Sequence, residues 1–347
     1  MKILYAVQAT GNGHLSRAME VTPYLQKFGQ VDIFLSGNNS TLPVALPVTY
    51  RSKGISLFND KNGGLDFVKI IKSNNWLRAY KEAAQLPVEK YDLILNDFEP
   101  ISARACQLKN KTSVQFSHQA SFQSALTPRP NRINAFGEWI FRYYAPSVNY
   151  LGLHFRNYDS FILPPVIKKS LTEASPEDKG HITVYLFGFD RFYFEKQFHT
   201  LPQLHFHCFI SGISSVEKSR NISFYPIESS GFAQSLRTCH GIITGAGFET
   251  PAEALYLGKR LLCVPCKNHY EQYCNAAALK SMGIPIVLPG DRNQLGERVL
   301  PWLEQSFAEI QLAPNNVKDT LQSLMDTYAS QESPPSPAPF WPGLQPY

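Results

Sequence analysis

Short apolar runs recur along this chain, each closed by a turn signal and followed by a longer amphipathic segment; this alternation restricts its fold more than any other feature. Strands linked through helices run parallel, and the crossover helices cover both faces of the sheet they make. In the first half, strands are expected at Lys2 to Gln8, Val31 to Leu35, Val48 to Arg51, Tyr91 to Asn96, Ser113 to Phe116 and Asn149 to His154. Helices are expected near Leu15 to Phe28, Val68 to Gln85 and Ile101 to Leu108. The pattern restarts with strands at His181 to Phe187, His205 to Ser211, Ile222 to Pro226, Gly241 to Thr244, Arg260 to Val264 and Pro285 to Leu288. Between the halves, Leu163-Pro164-Pro165-Val166 and the polar run Thr172 to Gly180 read as a linker. At 347 residues the chain exceeds one ordinary core. The expectation is an α/β protein of two doubly wound domains, 1–165 and 166–330, with ligands at the carboxyl ends of the strands. The tail 331–347, which holds six prolines, is read as disordered.

Composition excludes several function classes. No apolar run is long enough to cross a bilayer, and Ile3 to Val7 is too short for a signal-peptide core, so a cytoplasmic protein is expected. The net charge of +5, with no basic run, does not call for nucleic acid, but it suits anionic nucleotides and lipid head groups. Six cysteines lack framework spacing and are expected to be reduced. Cys263 and Cys266 imitate a redox or zinc pair, yet they end a buried strand with no second pair in sight, which favours core packing. The basic and aromatic stretch Arg129 to Tyr144 has two readings: a helix meeting an acceptor or the inner face of a membrane, and a helix packing its aromatic stripe into the first domain.

The chemistry concentrates in residues 241–275. The strand Gly241 to Thr244 runs into the turn Gly245-Ala246-Gly247, and a helix opens with Phe248-Glu249-Thr250-Pro251. Unpaired N–H groups and the positive end of the dipole make such a helix start an anion site, and the glycines let a phosphate approach the backbone. One turn on, Glu253 suits ribose hydroxyls, and the loop after Pro265 delivers Glu271 and Gln272, then Asn275, which suit sugar hydroxyls.

With those residues the segment resembles the donor half of GT-B glycosyltransferases, a fold of two Rossmann-like domains facing a central cleft. It is most similar to the bacterial lipid II-forming N-acetylglucosaminyltransferase and the UDP-glycosyltransferases, on Gly247, Thr250, Glu253, Gly258, Pro265, Glu271, Gln272, Asn275 and Ala276. The resemblance implies donor contacts at Gly245, Ala246, Gly247, Phe248, Thr250, Glu253, Glu271, Gln272 and Asn275. It also implies a UDP-linked sugar as co-substrate, and a glycan or lipid-linked acceptor in cell-envelope or surface glycan synthesis. The chain has no Asp-X-Asp motif of the kind that holds manganese in other transferases, so no metal or other cofactor is expected.

The amino-terminal strand leads into Gly11-Asn12-Gly13-His14-Leu15-Ser16-Arg17. As a dinucleotide fingerprint this fails, because Ser16 stands at the third glycine and Asp32 opens the second strand rather than ending it. The turn resembles the glycine motif of the same transferases, with Gly11 and Gly13 as further diphosphate donors and His14 facing the cleft. Imidazole titrates near neutral pH, so His14 suits the base of an inverting transfer, with Asp97 at the end of a strand orienting it. His118, Gln119 and Arg17 are expected on the acceptor side; Gln119 stands where the lipid II enzyme has an acid. Two alternatives keep the fold: a UDP-sugar 2-epimerase, and a non-catalytic nucleotide-sugar-binding protein.

Overall fold

Strand β1 (Lys2–Gln8) is buried from Ile3 onward, as a parallel strand covered on both faces must be. In a computed structural model of the chain, which describes residues 1–9, 11–37, 46–55, 67–227, 229–306, 310 and 312–328, it stands at the centre of the first sheet. Helix α1 (Asn12–Leu25) follows, then β2 (Gln30–Ser36), β3 (Val48–Ser52), α2 (Phe67–Ser73), α3 (Trp76–Gln85), β4 (Leu93–Asp97), α4 (Pro100–Leu108), β5 (Val114–Ser117), α5 (Ala135–Tyr143), β6 (Asn149–Leu153) and β7 (Ile162–Leu163). The seven strands lie in the order β3-β2-β1-β4-β5-β6-β7, all parallel. The order reverses between β1 and β4, so their carboxyl ends, where Val7 pairs with Asp97, open a crevice.

The second domain contains α6 (Lys169–Thr172), β8 (His181–Tyr185), α7 (Arg191–Phe198), β9 (His205–Ile210), β10 (Glu217–Ser219), β11 (Ile222–Pro226), α8 (Ser229–Thr238), β12 (Gly241–Thr244), α9 (Glu249–Tyr256), β13 (Arg260–Cys263), α10 (Tyr270–Ser281), α11 (Leu295–Glu304) and α12 (Val317–Tyr328). Its strands run β10-β11-β9-β8-β12-β13, parallel except for β10 against β11. The reversal here falls between β8 and β12, where Tyr185 pairs with Thr244. The expected pair of doubly wound domains is therefore present.

Three expectations change. The single helix Val68 to Gln85 is two helices, because Asn74 returns its amide to the Ile70 carbonyl (2.7 Å) and Asn75 caps α3 by accepting from the Arg78 N–H (2.9 Å). The strand Pro285 to Leu288 reduces to one bridge, Ile286 against Cys263; Pro285 lacks an N–H and Pro289 opens a 3₁₀ turn. The polyproline stretch is not a loose connection, since Ile162 and Leu163 join the first sheet and Val166 and Ile167 are buried.

The two domains share a core. One buried cluster runs from Tyr5 and Leu15 through Val166 and Leu171 to Leu255 and Leu261. Helix α12 belongs to it, with Leu321, Leu324 and Met325 against the α1 side of the first domain, so the last helix of the second half crosses back. The stretch Arg129 to Tyr144 packs: Ile140 and Phe141 are buried, Arg129 donates to Glu138 (2.6 Å) and lies over the Phe122 ring. Leu126, Ile133 and Phe136 remain exposed. Cys263 and Cys266 are buried, and burial pushes both thiols up. Among the described residues no helix is long and apolar enough to cross a membrane. The proline-rich tail 331–347 and much of the loop 53–66 lie outside the described residues.

Candidate active site

Two helix starts face each other across the cleft. Helix α1 begins after Gly11 and helix α9 after Phe248, and no side chain caps either one. Gly13 and His14 from the first turn of α1 line the cleft opposite the first turn of α9, so the positive dipole ends converge on it. Gly13 makes the approach possible: a Cβ there would lie 3.0 Å from Glu249 Cγ on the opposite domain. A cavity of about 380 Å³ lies between the helix starts.

His14 reaches this cavity from the first turn of α1. Its Nδ1 lies 2.8 Å from Asp97 Oδ1, which leaves Nε2 for the cleft. Asp97 is fully buried, and Arg17 forks onto it with Nε to Oδ2 (3.1 Å) and Nη2 to Oδ1 (2.7 Å). Burial works to raise the Asp97 carboxyl, but the Arg17 cation and His14 outweigh it and hold the group below the usual carboxylate range. Arg17 Nη2 also lies 3.1 Å from His14 Nδ1, and in the tautomer whose Nδ1–H donates to the ionised aspartate, Nε2 carries the lone pair that a general base needs.

Arg17, expected on the acceptor side, lines the cavity and is held within the protein. Its side chain is 2% exposed, and its remaining arm, Nη1, crosses the cleft to the Glu249 carboxylate. In the sequence Glu249 is marked only as part of a helix start. Burial pushes its carboxyl up to about 7, Arg17 opposes this, and Glu253 and Asp97 add to the rise.

The other expected residues divide into three groups. Gly11, Gly13, Gly245, Gly247, Phe248, Thr250, Glu271 and Gln272 line the cavity with His14. Gln272 accepts from the Cys266 N–H (2.8 Å) with Oε1, leaving Nε2 for a ligand, and Glu271 accepts from Gln119 Nε2 (3.2 Å). Burial raises Glu271, but His118 and His269 nearby hold it on the ionised side.

Ala246 and Asn275 lie behind this lining, fully buried; Asn275 donates to the Ala246 carbonyl (3.1 Å) and so braces the glycine turn. His118 and Gln119 line the cavity as well, and His118 is at the same time braced. Its Nδ1 lies 2.8 Å from the Leu153 carbonyl and its Nε2 2.8 Å from Asn275 Oδ1, with the ring stacked on Phe248 (4.0 Å). Both nitrogens are occupied, so His118 with Gln119 clasps one domain to the other.

Glu253 borders a second cavity of about 570 Å³, walled by Tyr185, Phe209 and Phe232. Its carboxylate meets Lys168 Nζ at 2.9 Å. Lys168 comes from the interdomain connection, and no motif in the sequence marks it. Burial lowers this ammonium, but Glu253 reverses the effect and keeps it charged.

Comparison with known proteins agrees with the geometry. Among solved structures, LpCGTa in complex with UDP is similar at 12% identity, with 95% of this chain and 99% of that one covered and a TM-score of 0.63. MurG of Acinetobacter baumannii is similar at 15% identity, with 94% and 99% covered and a TM-score of 0.56. UGT89C1 of Arabidopsis thaliana in complex with UDP is similar at 12% identity, with 94% of each chain covered and a TM-score of 0.56. At these identities the likeness establishes the shared GT-B fold. No curated protein matches the chain. The family model described as Glycosyl transferase family 1 matches residues 1–300, and the chain, with its two parallel-sheet domains and the cleft between them, belongs to that family and is a glycosyltransferase.

Proposed function

We propose that the protein moves a hexosyl group from a UDP-linked donor to an acceptor hydroxyl, with inversion at the anomeric carbon and without a metal ion. One observation carries this reading: two uncapped helix starts converge on the cavity into which His14, held by Asp97, presents Nε2. His14 Nε2 takes the hydroxyl proton as the acceptor oxygen bonds to the anomeric carbon. The bond from that carbon to the diphosphate oxygen breaks in the same step, and the N–H groups of the helix starts take the developing charge. Glu271 and Gln272 Nε2 meet the sugar hydroxyls. The larger cavity suits the nucleoside, with Tyr185, Phe209 and Phe232 offering aromatic faces and Glu253 accepting from the ribose. UDP in two of the similar structures supports uracil as the base.

The exposed Leu126, Ile133 and Phe136 beside Arg132 support a lipid-linked cell-envelope acceptor met at the inner face of a membrane. Failure of the protein to sediment with anionic liposomes would remove that part of the proposal. For the reaction itself, the purified protein is incubated with UDP-sugars and candidate acceptors, and the product anomer is read by proton NMR coupling. An anomer opposite to the donor, with UDP released only when acceptor is present, is the expected result. A retained anomer overturns the inverting mechanism, and UDP release without acceptor favours the 2-epimerase. Binding of UDP-sugar with no turnover of any acceptor favours the non-catalytic alternative.

A further inference from the structure

The mechanism above leaves the cross-cleft pair of Arg17 and Glu249 without a task. Arg17 is buried and aimed by its fork on Asp97, and its third nitrogen reaches Glu249, the first residue of α9. The Glu249 side chain fills the gap between the two helix starts, against Gly13 on one side. That gap is where the reading above seats the diphosphate, on which this inference rests. A carboxylate and a diphosphate repel in a shared site, and one guanidinium arm cannot serve both. We propose that the Glu249 carboxylate holds the place of the donor's diphosphate in the empty enzyme, and that Arg17 passes from Glu249 to the diphosphate when the donor binds. Arg17 then touches the leaving group and stabilises its charge as the glycosidic bond breaks.

The exchange is linked to a proton. Glu249 faces Arg17 and His14 from α1, Asp97 from β4, Tyr5 from β1, Lys168 from the interdomain connection and Glu253 from its own helix. Burial among two further carboxylates pushes Glu249 up to about 7, so displacement from Arg17 is easiest with the proton on. The sign follows. Below pH 7 the neutral Glu249 releases Arg17 and the donor binds best; above it, binding must first take up a proton, which weakens affinity about tenfold per pH unit.

The test is calorimetric titration with UDP-glucose and UDP-N-acetylglucosamine, without acceptor, at pH 6 and pH 8. The phosphates of a UDP-sugar do not titrate in this interval. Wild type is expected to bind roughly tenfold more weakly at pH 8, with nearly one proton taken up, seen as a difference in heat between Tris and HEPES buffers. Glu249→Gln is expected to bind equally at both pH values with no proton uptake, and Arg17→Lys, which loses the planar fork, to bind weakly at both. The same pH dependence in wild type and Glu249→Gln overturns the proposal, as does undiminished binding by Arg17→Lys at pH 6. If Arg17→Lys does not fold, Glu249→Gln carries the test alone, since its shape is unchanged. No binding of either UDP-sugar by wild type at either pH overturns the nucleotide-sugar reading itself and this inference with it, an outcome distinct from binding that ignores pH.

Discussion

At the scale of single residues, the His14 and Asp97 pair is the most exacting part of the site, because Asp97 serves two partners at once. It orients His14 through Nδ1 and neutralises Arg17. On the proposed mechanism His14→Ala removes the base alone, and turnover is expected to fall by roughly 10²–10⁴-fold with donor affinity close to wild type. Asp97→Asn is expected to lose as much turnover and also stability, since Arg17 is left as a buried cation with only Glu249 against it. Steady-state rates with calorimetric donor affinity check the first, and urea unfolding the second. A His14→Ala enzyme with near-native turnover would remove His14 as the base. These two residues were legible because each ends a buried strand or follows a glycine turn, positions that aim side chains into the crevice of a doubly wound sheet. Glu249 was not, since what gives it meaning is Arg17, 232 positions away. Lys168 was hidden for a similar reason: as a polar residue after prolines it reads as linker, and only the fold brings it to Glu253.

At the scale of elements, strand positions were read to within a residue or two, because period and burial coincide in parallel strands, as in Gly241–Thr244 and Ile222–Pro226. Elements failed where a local hydrogen bond competed with the pattern, as at Asn74 and Asn75, or where proline withheld a donor, as at Pro285. The contact of α5 with α10 was beyond sequence reasoning, though Gly137 carried a trace of it. The Tyr270 ring lies so close that a Cβ at Gly137 would sit 2.1 Å from Cδ1, and the Tyr270 hydroxyl donates to Glu138 one residue on (2.6 Å). Gly137→Ala therefore forces the aromatic cluster of Phe122, Phe141 and Tyr270 apart. The expected cost is about 1–3 kcal/mol in urea unfolding, together with weaker donor binding, because α10 carries Glu271 and Gln272. Gly137→Ala with wild-type stability and affinity would show that α5 and α10 are not held at this distance in solution.

At the scale of the molecule, the cleft is built by two sheets whose strand orders reverse at the same level, so that a turn after β1 meets a turn after β12. The first sheet ends at Leu163 and the second begins at His181, yet the apolar core does not respect that boundary. Helix α12 lies in the second half of the sequence but packs its Leu321, Leu324 and Met325 with Leu15, Ala18 and Val21 of α1. An amphipathic helix shows which face it will bury and says nothing of which domain receives that face, so sequence could not assign it. The crossing has a consequence for the site, because α1 carries Gly13, His14 and Arg17. Leu321, Leu324 and Met325 of α12 each contribute about 1.5–3 kcal/mol by area, so a chain ending before Val317 loses support beneath the helix that carries His14. Such a chain is expected to show faster amide hydrogen exchange in α1 than in β8 and β12, and a larger loss of turnover than of nucleoside binding. Exchange that rises only in the second domain would mean that α12 stabilises its own half, and the pair of His14 and Asp97 would then owe its position to the first sheet alone.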